Sequence, residues 1–198
     1  MNSCCTSRAR IAVFASGFGS NFQAIIDASK NESLMADIVC LVSDKPDCFS
    51  VQRALKEGID VIAFSPKNYN SKAEYEKMIT AQLLAKGVDF IILAGYMRIV
   101  GETLLSMFPR KIINIHPALL PAFPGAHGIQ DAYNYGVKVF GVTIHYVDAG
   151  IDTGEIIDQE AFHVQGEESL DEIETKIHAI EHKLYPKTIQ KLIDENNL

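Results

Sequence analysis

Four short stretches carry side chains whose types and spacing could do chemistry. In Asn114-Ile115-His116-Pro117 a carboxamide and an imidazole stand two residues apart. On a strand, alternation puts both on one face. A carboxamide N–H can donate to a carbonyl oxygen that is becoming an oxyanion. An imidazole can give or take a proton near neutral pH. A lone histidine at a strand end is as readily structural. Gly150-Ile151-Asp152-Thr153-Gly154 offers it a partner: the flanking glycines let the chain turn sharply and aim Asp152. An acid so aimed could reach His116 and supply the anion that an imidazolium needs. The alternative for Asp152 is a solvated turn residue.

The third stretch, Ser16-Gly17-Phe18-Gly19-Ser20-Asn21, lies between an apolar run and a helical pattern. Two glycines allow close backbone approach, and the following helix start offers unpaired N–H groups and a positive dipole end, a setting suited to a phosphate. A dinucleotide-binding turn would need a third glycine where Phe22 stands, although Asp44 sits where a ribose-binding acid would be. A nicotinamide enzyme, or a glycine turn without a ligand, therefore stays open at this point. A fourth pattern, His178-Ala179-Ile180-Glu181-His182, spells H-x-x-E-H, with two histidines one helical turn apart as zinc would require. No third ligand stands out after it. The expectation is no metal, with Glu181 or a histidine facing a cleft, or the group forming a solvated helix face.

These stretches need a scaffold, and the apolar pattern supplies one. Continuous apolar runs at 11–15, 38–42, 61–64, 90–94 and 112–115 read as strands buried on both faces. Between them, 21–29, 50–57, 71–86 and 103–108 have helical spacing, with Gly58 and Gly87 as stops. This rhythm predicts a parallel sheet with helices on both faces. After a proline-rich stretch at 117–124 the character changes to two long strands, 140–147 and 155–164. A long helix over 169–194 follows, opened by a Ser169/Glu172 capping box. The fold class is α/β, Rossmann-like, with a mostly parallel central sheet and a mixed C-terminal half. Residues 1–10 read as a loose tail and 11–198 as a single domain.

Composition narrows the classes. The chain has 198 residues, 47% hydrophobic and 22% charged, which is globular rather than disordered. Its net charge of −7 and pI of about 5.3 argue against a nucleic-acid partner, which wants a positive footprint. No apolar run is long enough to cross a bilayer, and the start lacks the apolar segment of a secretory signal, so no membrane partner and a cytoplasmic setting are expected. Cys4, Cys5, Cys40 and Cys48 make no disulfide framework and read as reduced thiols.

Taken together, SGFGSN (16–21), LAGYMRIV (93–100), INIHPALLPAFPGAH (113–127), GVTIHYVDAGIDTG (141–154) and IEHKLYP (180–186) resemble the phosphoribosylglycinamide formyltransferases, the folate-dependent transformylases of purine synthesis. The matching stretches keep their order across nearly all of 11–186. The resemblance implies the formyltransferase fold and 10-formyltetrahydrofolate as co-substrate, with no metal. It implies formyl transfer to the amine of glycinamide ribonucleotide in de novo purine biosynthesis. It implies a catalytic group of Asn114, His116 and Asp152. Gly19, Ser20 and Asn21 would hold the substrate's phosphate, and Glu181 its amine or glycinamide end. Met97, Arg98, Ile99 and Val100, with Asn114 and Lys72, would line the folate site. Lys72 stands where relatives often carry arginine, and it lacks that residue's planar fork. Partners would be small molecules, and a homodimer stays open.

Rival readings share parts of this pattern. A formyltetrahydrofolate hydrolase would carry an extra N-terminal domain, for which the residues before Ile11 leave no room. A methionyl-tRNA formyltransferase would carry an extra C-terminal one, and the chain ends too soon. From another class, a non-catalytic folate- or nucleotide-binding module would not need the complete catalytic set.

Overall fold

Short runs rich in Ile, Val, Leu and Phe form the sheet because both of their faces are covered. In this computed structural model, which describes residues 8–195, strand β1 (Ala9–Phe14) runs inside the sheet. Its Ile11, Val13 and the following Ala15 face one apolar cluster, while Ala12 and Phe14 face another. The further strands are β2 (Ala36–Ser43), β3 (Val61–Ala63), β4 (Phe90–Leu93), β5 (Ile112–His116), β6 (Val139–Tyr146) and β7 (Ile156–His163). They make one sheet of seven in the order β3-β2-β1-β4-β5-β6-β7. Pairings from β3 through β5 are parallel, and those of β6 with β5 and β7 are antiparallel.

Helices cover both faces. Helices α1 (Ser20–Lys30), α2 (Phe49–Lys56), α5 (Gly128–Tyr135) and α6 (Leu170–Asp194) pack on the side of Ile11 and Val13. Helices α3 (Lys72–Ala85) and α4 (Glu102–Met107) pack on the side of Phe14. Phe22, in the position a third glycine would need, is fully buried among Ile25, Ile26 and the sheet. Removing so large a side chain there would cost about 3–5 kcal/mol. Ser71 caps α3 by accepting from Glu74 N–H at 3.2 Å. Ser169 and Glu172 form the expected reciprocal box at the start of α6.

The elements differ from the expected ones in three places. β1 begins at Ala9, so the inner end of the expected tail, 1–10, is ordered strand pairing with Ala36 and Asp37. The reason is arginine chemistry: Arg10 donates to the carbonyls of Lys86 and Gly87 at the end of α3, and Arg8 donates to Ala36 O at 2.8 Å. The rest of that tail, 1–7, lies outside the described residues, as do Cys4 and Cys5. Helix α5 was not foreseen; it follows the proline-rich stretch, His127 gives it no side-chain cap, and Gly136 closes it at φ +81°. A single 3-10 turn, Pro66–Asn68, precedes α3. Cys40 and Cys48 are free thiols, and burial pushes the Cys40 thiol up to about 12. Among the described residues no helix is long and apolar enough to cross a membrane.

Candidate active site

Open parallel sheets receive ligands at the carboxyl ends of their strands. Here the ends of β4 and β5 open into a cavity of about 260 Å³, walled by Tyr96 to Val100, Asn114, His116, Gly125, His145 and Asp152. Asn114 and His116 project from β5 into it. The antiparallel partner β6 places His145 directly opposite Asn114 and Thr143 opposite His116, so cross-strand neighbours share one face.

Hydrogen bonding fixes the ring states. His145 Nδ1 lies 2.9 Å from its neighbour's carbonyl, Tyr146 O, so that nitrogen carries the hydrogen. Its Nε2 is then an acceptor, and Asn114 Nδ2 donates to it at 3.2 Å. Burial lowers His145 below its ordinary value of 6.5, with Asp152 pulling the other way, which agrees with a neutral ring. One amide hydrogen of Asn114 is thus committed and the other remains for the cavity. His116 Nε2 donates to Phe123 O at 2.8 Å. Its Nδ1 faces Asp152 Oδ2 at 3.4 Å, an ion-pair approach longer than a good direct hydrogen bond. Both nitrogens of His116 face acceptors, an arrangement fully satisfied when both carry hydrogen. The His116 seat leaves little room, since a methyl on Gly128 would lie 3.0 Å from Nε2.

Asp152 arrives on the loop after β6. Its Oδ2 accepts from Gly125 N–H at 2.7 Å and its Oδ1 stands 3.5 Å from His145 Nε2. The flanking glycines act differently from the expected hinges. Asp152 itself takes the left-handed conformation, at φ +53°. Gly154 and Gly150 are needed for closeness: an added methyl would meet Tyr146 O at 1.7 Å and Thr153 Oγ1 at 2.0 Å, respectively. The proline-rich segment after His116 is anchored by Thr143 Oγ1, which donates to Ala118 O at 2.7 Å and accepts from Leu120 N and Gln159 Nε2.

The SGFGSN turn stands at the end of β1. Gly19 adopts φ +75°, and a methyl there would lie 2.7 Å from Ser50 Oγ. The first hydrogen bond of α1 runs from Gln23 N to Gly19 O at 2.9 Å, so the amides of Ser20, Asn21 and Phe22 precede it and have no helical acceptor. Asn21 Nδ2 donates to Glu181 Oε2 at 3.1 Å, while Asn21 Oδ1 is buried with no partner. Glu181 is itself buried, which raises its carboxyl above the ordinary value; the Asn21 amide and the charge of His178 oppose that rise. A wider groove of about 980 Å³ between α1 and α6 includes Ser20 and His182 but none of Asn114, His116 or Asp152.

The expected residues therefore fall into two groups and one outlier. Asn114, His116, Asp152, Met97, Arg98, Ile99 and Val100 meet around one cavity. Gly19, Ser20, Asn21 and Glu181 meet at the turn. Lys72, the first residue of α3, is exposed and outside the cavity wall. Asp44 does not stand free for a ribose: its Oδ1 accepts from Ser16 Oγ at 2.5 Å and its Oδ2 faces Arg98 Nε at 3.3 Å. His178 and His182 stack, with ring centroids 6.4 Å apart. Among the described residues no group of three His, Cys, Asp or Glu side chains is placed to hold a metal ion. His145 was missed; its signal was a polar residue in register with Thr143 within an otherwise apolar strand.

Residues 9–189 match the family described as formyl transferase. The phosphoribosylglycinamide formyltransferase of Bacillus subtilis (strain 168) is 50% identical over 188 residues, 95% of this chain and 96% of that protein. The trifunctional purine biosynthetic protein adenosine-3 of Drosophila melanogaster is 39% identical over 94% of this chain, which spans 14% of its length. The crystal structure of phosphoribosylglycinamide formyltransferase from Bacillus halodurans superposes with a TM-score of 0.91 at 50% identity, covering 94% of this chain and 96% of that one.

Proposed function

The chain belongs to the formyl transferase family, and from that membership we propose that it moves the formyl group of 10-formyltetrahydrofolate to the amine of glycinamide ribonucleotide in de novo purine biosynthesis. The observation that carries the assignment of roles is the convergence of Asn114, His116 and Asp152 beside the 95–100 loop.

The amine nitrogen adds to the formyl carbon and the carbonyl electron pair moves to oxygen. Asn114's uncommitted amide hydrogen donates to that oxyanion, and the positive charge of the His116 imidazolium stabilises it. Asp152 supplies the facing anion for His116. The tetrahedral centre then collapses: its bond to folate N10 breaks, the electron pair returns to N10, and N10 gains a proton as the amine loses one. No side chain forms a bond to the formyl carbon in this scheme.

Met97, Ile99 and Val100 give apolar walls for the pteridine ring, with backbone groups of the 95–100 loop for its polar edge. The phosphate is held at Gly19, Ser20 and Asn21, where unpaired amides and the start of α1 favour an anion. Glu181, joined to Asn21, meets the amine-bearing end of the substrate. Lys72 is a remoter contact, reaching the folate only through its flexible chain.

The test is direct. With both substrates present, deformylated folate should appear, read by absorbance, at a rate that depends on the ribonucleotide. Formate release without the ribonucleotide would make the protein a hydrolase. Binding of folate with neither product would make it a binding module.

A further inference from the structure

One hydroxyl ties three strand ends together. Ser16 leaves β1 and opens the SGFGSN turn, and its N–H donates to Gly95 O at 3.0 Å. Its Oγ donates to Asp44 Oδ1, just past β2, at 2.5 Å, and accepts from Met97 N–H, past β4, at 2.9 Å. Asp44 Oδ2 in turn faces Arg98 Nε at 3.3 Å. Ser16 is 1% exposed and the Asp44 side chain 9%. At the far end of the loop, buried Glu76 accepts from Gly101 N–H at 2.7 Å.

Between its two apolar anchors, Tyr96 edge-on to Phe14 at 5.2 Å and the buried Val100, the loop has little else to hold it. Met97 and Ile99 are 66% and 55% exposed, so their side chains contribute little burial to anchor the backbone. The polar ties at 95, 97, 98 and 101 fix its course instead. A buried hydrogen-bonded carboxylate suits that role, because an unmet donor in the same place would be costly. Asp44 is thereby spent on the loop and is not free for a ligand's ribose.

We propose that Ser16 and Asp44 are positioning residues for the folate-facing loop, holding Met97 N–H and the Arg98 guanidinium in the arrangement that receives the pteridine ring. The inference rests on the reading that residues 97–100 line the folate site.

The experiment measures Kd for tetrahydrofolate and for the ribonucleotide by calorimetry, together with turnover at saturating substrates, in Ser16→Ala, Asp44→Ala, Asp44→Asn and Ser16→Ala/Asp44→Ala. Losing a charge-assisted tie should weaken tetrahydrofolate binding by about tenfold or more. Ribonucleotide affinity and saturated turnover should change much less. Asp44→Asn keeps an acceptor for Ser16 but not the charge facing Arg98, so it should fall between wild type and Asp44→Ala. The double variant should lose less than the product of the single losses, because the residues form one network. Equal losses for both ligands, no loss for either, or a multiplicative double variant overturns the proposal. Ile99→Asp separates the two possible failures. If it leaves tetrahydrofolate binding intact, the loop is not the folate site and both readings fall. If it abolishes binding while Ser16→Ala and Asp44→Ala do not weaken it, only the positioning roles fall.

Discussion

The two halves of the site solve opposite problems. At the end of β5, polar groups are spent on one another: Asn114 on His145, His116 on Phe123 O, Asp152 on Gly125 N–H. At the end of β1, polar groups are left open, with Asn21 Oδ1 buried and unpartnered and the first amides of α1 without acceptors. A centre that must stabilise a transition state gains from donors fixed before the substrate arrives. A centre that must bind gains from groups whose hydrogen bonds the ligand completes. Substitutions at β5 should therefore act on turnover, and substitutions at the turn on binding.

The largest effects should come from the β5 side. Asn114→Ala and His116→Ala should each lower kcat by about 100-fold or more through lost oxyanion stabilisation, with both ligands still binding. Asp152→Asn keeps an acceptor for Gly125 N–H and removes the charge facing His116, so turnover should drop by orders of magnitude. His116→Ala/Asp152→Asn should lose far less than the product of the single losses. Single-turnover rates check all four. An unchanged rate in Asp152→Asn would reduce that residue to a turn aspartate and break the contrast.

Next is the turn. Gly19→Ala meets two obstacles, the positive φ and the 2.7 Å approach to Ser50 Oγ. Ribonucleotide affinity should fall by about tenfold or more while tetrahydrofolate affinity holds, as read by calorimetry. Loss of both would mean that the turn supports the fold rather than the phosphate.

His145 sharpens the contrast, because on the proposed roles its effect on turnover would run through aiming Asn114. His145→Leu removes the acceptor and should cost about tenfold in kcat; His145→Gln should restore part of it. The ring also sets a pH dependence. Its folded value is lowered by burial, so its contribution to stability is complete above 6.5 and is lost as pH falls through the folded value. Thermal melts of wild type should soften below pH 6.5, and His145→Gln should soften less over that window.

How far the sequence carried this picture differs between the same two regions. The strands of the parallel half were legible because runs such as Ile11 to Phe14 are apolar on both faces, a pattern that helix spacing does not imitate. Asn114 and His116 were readable as a pair because strand period alone decides their side. Asp152 was readable as a partner for His116 from the glycines that flank it, but the other partners were not. His145 becomes a neighbour only through the antiparallel register of β6 on β5, and Phe123 O through a loop that returns to its own strand. Asp44 looked like a ligand residue because its place on β2 says nothing of Ser16 and Arg98 reaching it from other strands. Helix α5 escaped for a local reason: it follows the proline-rich stretch and opens on Gly128, with no side-chain cap at His127.

The smallest effect is the most discriminating, since it sets binding against stability at a single atom group. Glu181 is buried and its carboxyl is raised above 4.5. A group so raised contributes stability that is complete below its unfolded value and is lost as pH rises through its folded value. At neutral pH that stability is diminished, so burying this carboxyl is a cost to the fold. Glu181→Gln keeps an acceptor for Asn21 Nδ2 and removes the charge. Its Tm should exceed that of wild type at pH 7.5, and the difference should close as pH is lowered toward 4.5. Ribonucleotide affinity should fall at the same time, the exchange expected where a strained polar group is kept for a ligand. A variant that loses stability at pH 7.5 would show that Glu181 holds α6 to α1 as part of the fold, and the turn would then be as internally complete as the β5 end.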